Sequence, residues 1–190
     1  MKNVLIGLVT FVVVFYNINA QPVSRQEFND LKAKVLTLEK KAGISELPSN
    51  TYRVRVNYDL PVETAVTNGK YNWSDGDLTS KHFPTKRSGT TSLDIEIKHF
   101  NGARSSENAI AELDKMGLRP AELHELLALG EQYPDLQKEF PVATLGSVWR
   151  RLLGDRHVAV LYGDGGRRGL GLSWFERGWL AAYRFAAVRK

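Results

Sequence analysis

His157-Val158-Ala159-Val160-Leu161-Tyr162 and, after a short polar break, Gly169-Leu170-Gly171-Leu172-Ser173-Trp174 alternate residue by residue, as extended strands do. Val158 and Val160 alternate with His157 and Ala159. Leu170, Leu172 and Trp174 alternate with Gly169, Gly171 and Ser173. A period of two places the large apolar set inward and the mixed set outward. Glycine is a poor strand residue, so two glycines on one strand face need a cause. A ligand that approaches the backbone closely is one; positions not selected for stability are another. From Phe140 onward the chain reads as several short strands with tight turns.

Upstream, the pattern changes to strand, loop, strand, helix, helix. Tyr52 to Tyr58 and Ser92 to Lys98 each alternate apolar and polar residues, and are expected to pair as antiparallel neighbours. Asn68-Gly69 and Asp75-Gly76 mark turns in the polar stretch between them. Ser105 or Ser106 can cap a helix that carries Ile110 and Leu113 on one face and stops at Gly117. Pro120 suits the first turn of a second helix, with Leu123, Leu126, Leu127 and Leu129 following and Gly130 closing it. Both stripes read as core. The expected class is α+β, with two helices and short antiparallel strands over residues 49-190.

The first 48 residues read differently. Lys2 precedes an apolar run from Val4 to Tyr16, and Ala20 precedes Gln21. Thirteen residues match a signal-peptide core and are short for a membrane span. Residues 1-20 are therefore read as a signal, with an uncleaved anchor as the alternative; both send the rest of the chain out of the cytoplasm. Residues 21-48 form a helical stalk and linker. Phe28, Leu31, Val35 and Leu38 follow an a/d spacing within 26-41, which suits either a homo-oligomeric stalk or an amphipathic spacer.

Charge and composition exclude several functions. The 190 residues carry a net +5, and the last 46 alone carry +6. The basicity belongs to one segment and does not argue for nucleic acid. With no cysteine there is no thiolate metal site, disulfide framework or cysteine nucleophile. Gly163-Asp164-Gly165-Gly166-Arg167-Arg168-Gly169 lacks the Gly-Lys-Ser/Thr ending of a phosphate loop. His82, His99, His124 and His157 are scattered without paired metal spacing, and His124 reads as a surface or capping residue. No Gly-x-Ser-x-Gly elbow occurs. No enzyme activity, catalytic residue, metal or cofactor is expected. Ten asparagines occur, yet none after Asn108, although a loop-rich segment favours them.

Ala143-Thr144-Leu145-Gly146-Ser147-Val148-Trp149-Arg150 resembles the variable proteins of diversity-generating retroelements. So does the ending from Trp174-Phe175-Glu176-Arg177-Gly178-Trp179 through Tyr183-Arg184-Phe185 to Lys190. Arg119-Pro120-Ala121-Glu122-Leu123 through Tyr133-Pro134-Asp135-Leu136 is similar to the scaffold of small bacterial members. The resemblance covers roughly residues 90 to 190 and implies a C-type-lectin-like fold. It also implies that a reverse transcriptase rewrites the 3′ end of the gene at template adenines, which would account for the missing asparagines. A randomised Asn codon cannot reach Trp, Met, Lys, Gln or Glu. Trp149, Trp174, Glu176, Trp179 and Lys190 are thus expected to be constant. Leu161, Leu170, Leu172, Trp174, Trp179 and Phe185 are expected to form the supporting core.

The resemblance further implies a ligand face within about 145-190, made by Arg151, Leu153, Asp155, His157, Tyr162, Asp164, Gly169, Gly171, Ser173, Arg177, Gly178, Leu180 and Ala182. Arg151, Arg156, Arg168 and Arg177 favour an anionic partner, whether protein or glycan. Substitution of Gly169 or Gly171 by Ile or Leu is expected to change binding and leave melting unchanged. The implied protein is secreted, periplasmic or surface-bound and not an enzyme. A fixed lectin-like domain for sugar or protein is the alternative, and an enzyme of the formylglycine-generating type is disfavoured by the missing cysteine. The absence of a Glu-Pro-Asn type loop disfavours calcium-mediated sugar binding.

Overall fold

The computed structural model describes residues 50-190, together with Gln26, Glu27, Asn29, Asp30, Leu31 and Lys34, which are helical. The signal segment, Phe28, Val35, Leu38 and most of the stalk lie outside the described residues. The chain divides into two units, Met1–Glu46 and Leu47–Lys190. Every strand among the described residues belongs to the second unit.

The alternating segment Thr51–Asn57 is strand β1, and it buries Val54 and Val56 while Arg53 and Arg55 stay exposed. Helix α1, Val62–Asn68, and strand β2, Trp73–Ser74, follow. Strand β3, Thr90–Lys98, pairs antiparallel with β1 as expected, with Arg53 opposite Asp94 in a two-pronged ion pair of 2.7 and 2.8 Å. Helix α2, Ser106–Lys115, starts on the Ser105 hydroxyl, which accepts the Asn108 N–H at 3.2 Å. It ends before Gly117, whose φ of +71° is a left-handed position that glycine supplies without strain.

Two expectations fail in the next segment. Pro120 does not open a helix: it ends strand β4, Leu118–Pro120, paired with the C-terminal strand. A proline fits there because a strand end requires no donated ladder bond from it. Helix α3 is Leu123–Gln132, opened by a capping box between Glu122 and Glu125. Gly130 lies inside α3 rather than after it. A Cβ there would overlap the Tyr71 hydroxyl, so close approach of a ring, not helix termination, explains the glycine. A short helix α4, Leu136–Glu139, precedes strands β5, Val142–Ala143, and β6, Trp149–Arg150. The long hairpin β7, Arg156–Asp164, and β8, Arg167–Trp174, turns on Gly165 and Gly166, both at positive φ. Strand β9, Arg184–Arg189, ends the domain.

Among the described residues the strands form one nine-stranded sheet, ordered β1-β3-β9-β5-β7-β8-β2, with β4 on β9 and β6 on β7. Most pairs are antiparallel; β5–β9 and β2–β8 are parallel. The architecture is mixed α+β, with four helices among residues 50-190 where two were expected, α1 and α4 being the additions. One core cluster packs residues of α1, α3 and α4 against Ile95, Ala159, Leu161, Leu170 and Val188. A second packs Ala109 and Leu113 of α2 against Val158, Val160, Trp179 and Phe185. Strands β7 and β9 feed both clusters, so both of their faces are buried and they carry apolar residues without alternation.

A polar network lies at the base of α3. Glu125 has no exposed surface, and its carboxylate takes Arg119 at 2.6 and 3.0 Å, the Tyr58 hydroxyl at 2.6 Å and the Glu122 N–H at 2.6 Å. Burial works against ionisation, but the Arg119 and Tyr58 hydrogen bonds outweigh it and hold the carboxyl below its usual range. With every partner inside the protein, Glu125 is a structural group. His124 beside it is buried rather than superficial, with Nε2 3.2 Å from the Leu60 carbonyl.

Candidate binding site

The register of the hairpin decides where the expected ligand residues go. Directly opposed residues share a face, so Tyr162 and Gly169, Val160 and Gly171, and Val158 and Ser173 lie together, with Asp164 and Arg167 at the tip. The opposite face carries His157 with Trp174, Ala159 with Leu172, and Leu161 with Leu170. On β8 the expected alternation therefore holds: Leu170 enters the core and the glycines face the other way. On β7 it does not. Val158 and Val160 lie on the glycine side, and Ala159 lies in the core beside Leu161.

The mixed set is not exposed on either face: the glycines and Ser173 face away from the α3 core, and His157 lies on the core side with Ala159 and Leu161. His157, Gly169, Gly171 and Ser173 are all buried, which corrects the outward placement expected for them. The Tyr162 ring covers the glycines. A Cβ on Gly169 would come within 2.6 Å of Tyr162 Cε2 and Oη; one on Gly171 would meet Tyr162 Cε1 at 3.2 Å and Trp73 Cζ3 at 3.5 Å. The close approach inferred from the glycines is made by the protein's own aromatic rings. Ser173 lies under Arg177, whose Nη1 donates to its hydroxyl at 3.3 Å.

His157 sits in a row across three strands. Trp149 opposes it on β6 and Trp174 on β8, with ring centroids 5.8 and 6.5 Å away. Its Nδ1 is buried without a hydrogen-bond partner among the described residues. Trp174, expected in the core, is instead 61% exposed. Leu172 is only partly buried; Leu161, Leu170, Trp179 and Phe185 are core as expected.

A cleft of about 770 Å³ opens beside this row, between the loop around Asp77 and the loop from Arg150 to Asp155. His82 stacks on Trp149 at 4.1 Å and 14°, and its Nδ1 lies 2.9 Å from the Asp77 carbonyl, which only a protonated Nδ1 can satisfy. Buried Leu78 and Phe83 anchor that loop. Arg151 joins the two walls: Nη2 meets Asp77 Oδ2 at 2.9 Å and the guanidinium lies 5.2 Å from the Trp149 ring centre. Leu153 and Asp155 line the cleft, and Leu152 and Leu153 stand fully out at its rim, where Gly154 at φ +98° completes the turn. A second cavity of about 390 Å³ adjoins it past His82, between Phe83 to Arg87 and Gly146 to Val148.

Eight of the thirteen expected ligand positions are exposed: Arg151, Leu153, Asp155, Asp164, Arg177, Gly178, Leu180 and Ala182; Tyr162 is half-buried. They do not form one patch. Arg151, Leu153 and Asp155 line the cleft. Tyr162 and Asp164 lie on the glycine side of the hairpin, with Arg177 reaching it through Ser173. Gly178, Leu180 and Ala182 belong to the loop before β9, tied down by Trp179, whose backbone N–H donates to the Arg104 carbonyl at 2.7 Å. The arginines expected to meet an anionic partner are largely engaged within the protein. Arg156 pairs with Glu176 and Glu107. Arg168 caps the chain at Gly69 and Gly130 through their carbonyls.

Sequence reasoning missed Trp73, Asp75, Asp77, Lys81 and His82, all from the stretch read as polar loop. The one signal there was Trp73 and His82 standing in a polar run, an aromatic content that loops seldom need. Among the described residues no group of three or more His, Asp or Glu is placed to hold a metal ion, and no helix is long and apolar enough to cross a membrane. No family model, curated protein or solved structure matches this chain.

Proposed function

We propose that the chain is an exported, non-enzymatic binding protein with a C-type-lectin-like domain, whose C-terminal ligand surface is diversified by a retroelement. The observation that carries the reading is a separation of roles. Leu161, Leu170, Trp179 and Phe185 are each 2% exposed or less, whereas Arg151, Leu153, Asp155, Arg177, Gly178, Leu180 and Ala182 occupy exposed loops between the strands. Loop positions of that kind accept many residues at little cost to stability, which a diversified surface requires. The burial of Gly169, Gly171, Ser173 and His157 narrows the surface to the loops, Tyr162 and the hairpin tip. The ligand is a protein or glycan taken up on the cleft or the hairpin face, with aromatic residues as anchors.

The test is a DNA sequence. A near-duplicate of the codons for 145-190, differing at template adenines and lying beside a reverse-transcriptase gene, is the expected finding. Mismatches should fall on the exposed positions and spare Trp149, Trp174 and Trp179. A flanking sequence of several kilobases with no such repeat refutes diversification and leaves a fixed binding domain.

A further inference from the structure

The glycine side of the hairpin has a construction that the loops do not share. Tyr162 lies across two glycines. One edge of its ring, Cζ and Cε2, is over Gly169, and the other, Cε1 and Cδ1, is over Gly171. A ring touching the strand at both edges lies flat on it, with one face on the backbone. Trp73 comes to Gly171 from β2 and remains 53% exposed, so its ring offers an apolar face to solvent. Its register opposite Gly169 keeps it on this side of the sheet.

The groups around the two rings are polar and of both signs, Asp75 and Asp164 with Arg167 and Arg177. Asp75 follows β2, its N–H donating to the Leu170 carbonyl at 2.9 Å, and one of its carboxylate oxygens accepts the Asp77 N–H. Asp164 stands at the hairpin tip opposite Arg167. Asp164 lies two residues beyond Tyr162 on the same side of the hairpin, and Asp75 is held to the neighbouring strand through Leu170; burial, then Asp164 and Asp75, raise the Tyr162 phenol above its ordinary pKa. Two carboxylates beside an exposed aromatic face accept hydrogen bonds from hydroxyls, and with Arg167 and Arg177 on the same side the charges balance, so the surface favours a neutral ligand over an ion. The negative π-face suits the weakly positive C–H face of a sugar ring.

From these features we infer that Tyr162 and Trp73, laid over Gly169 and Gly171 and flanked by Asp75 and Asp164, form a stacking platform for a neutral carbohydrate. The inference rests on the binding reading for its surface and not on diversification, since Trp73 and Asp75 lie outside the rewritten segment. It also gives the two glycines a cause: any side chain there would lift Tyr162 off the strand and tilt the platform.

The experiment uses the full chain labelled with nitrogen-15. The chain has four tryptophans, hence four indole N–H signals, and Trp73→Phe assigns that of Trp73. Cellohexaose, maltohexaose and chitohexaose are titrated to 10 mM, with inorganic phosphate and adenosine as the anionic and planar comparisons. At least one hexasaccharide is expected to shift the Trp73 signal and leave that of Trp179, which is buried on Ser106, in place. Trp73→Ala should weaken binding about 30-fold, as for truncation of an aromatic anchor. The buried Trp179 indole signal should keep its position in Trp73→Ala, which shows that the variant retains the fold. Failure of all three hexasaccharides, binding that survives Trp73→Ala, or a response to adenosine or phosphate instead would overturn the inference. A template repeat found together with such a failure would leave the diversified reading standing, and sugar binding without a repeat would do the reverse.

Discussion

Replacing Gly130 by alanine pits local helix preference against packing, and the structure sets the sign. Gly130 lies inside α3, where alanine is favoured by about 1 kcal/mol. Against this, the new Cβ would overlap the Tyr71 hydroxyl and stand 3.0 Å from Leu161 Cδ2. Tyr71 has little room to retreat, because its ring also fills the space over Gly69 and carries Arg168 at 4.8 Å. Overpacking of this kind costs about 1–3 kcal/mol, so Gly130→Ala should be net destabilising by up to about 2 kcal/mol, the overlap cost less the helix gain. Among the described residues the buried Tyr71 hydroxyl has no hydrogen-bond partner, and burial pushes its pKa well up. Tyr71→Phe therefore removes an unsatisfied group and should stabilise by about 1 kcal/mol. In the double variant the overlapping atom is gone, and alanine should recover most of its helix advantage. The coupling, about 1–2 kcal/mol, is read from urea titrations of the four proteins. A Gly130→Ala variant more stable than the parent, or additive effects in the double variant, would refute this account of Gly130.

The same geometry sets other expected outcomes. Gly169→Leu should lower stability by about 1–3 kcal/mol in thermal melts, because Tyr162 must move; this reverses the expectation drawn from alternation alone, and unchanged melting would restore it. Glu125→Gln should cost about 3 kcal/mol by breaking a buried, hydrogen-bonded charge pair with Arg119. Since the folded Glu125 carboxyl titrates below its usual value, its contribution is complete above the unfolded pKa and is lost as pH falls through the folded one. Urea midpoints of the parent should therefore fall across that acidic window more steeply than those of Glu125→Gln; parallel curves would remove Glu125 from the acid response. Leu152→Ser and Leu153→Ser should each leave stability within about 0.5 kcal/mol, since both side chains are fully exposed. A larger loss by calorimetry would place them in a contact.

Elements with one buried face were legible in the sequence. Strands β1 and β3 alternate because helices cover one side only, and their antiparallel pairing followed from that pattern. Helix α2 was legible from its Ser105 cap and its Gly117 stop, both of which act through nearest-neighbour backbone chemistry. Pro120 and Gly130 misled because each has two local uses, and the choice between them rests on a distant partner, β9 for the proline and Tyr71 for the glycine. Helix α1 was hidden in a stretch whose apolar residues are few, its stability coming from Val62 and Ala65 packing into the core.

By itself, the sequence determined the α+β class, the chemistry that a chain without cysteine lacks, and the tension between glycine and strand at 169 and 171. Those properties depend on composition and on neighbours within a few residues. Only the tertiary structure decided which face of β7 joins which face of β8, that Tyr162 and Trp73 close over the glycines, and that the loop around His82 walls a cleft with Arg151. Register and ring placement are set by contacts between residues roughly 70 to 100 positions apart, such as Arg151 with Asp77 and Trp73 with Gly171. A period of two names the two faces of a strand. What covers each face is a matter of long-range packing.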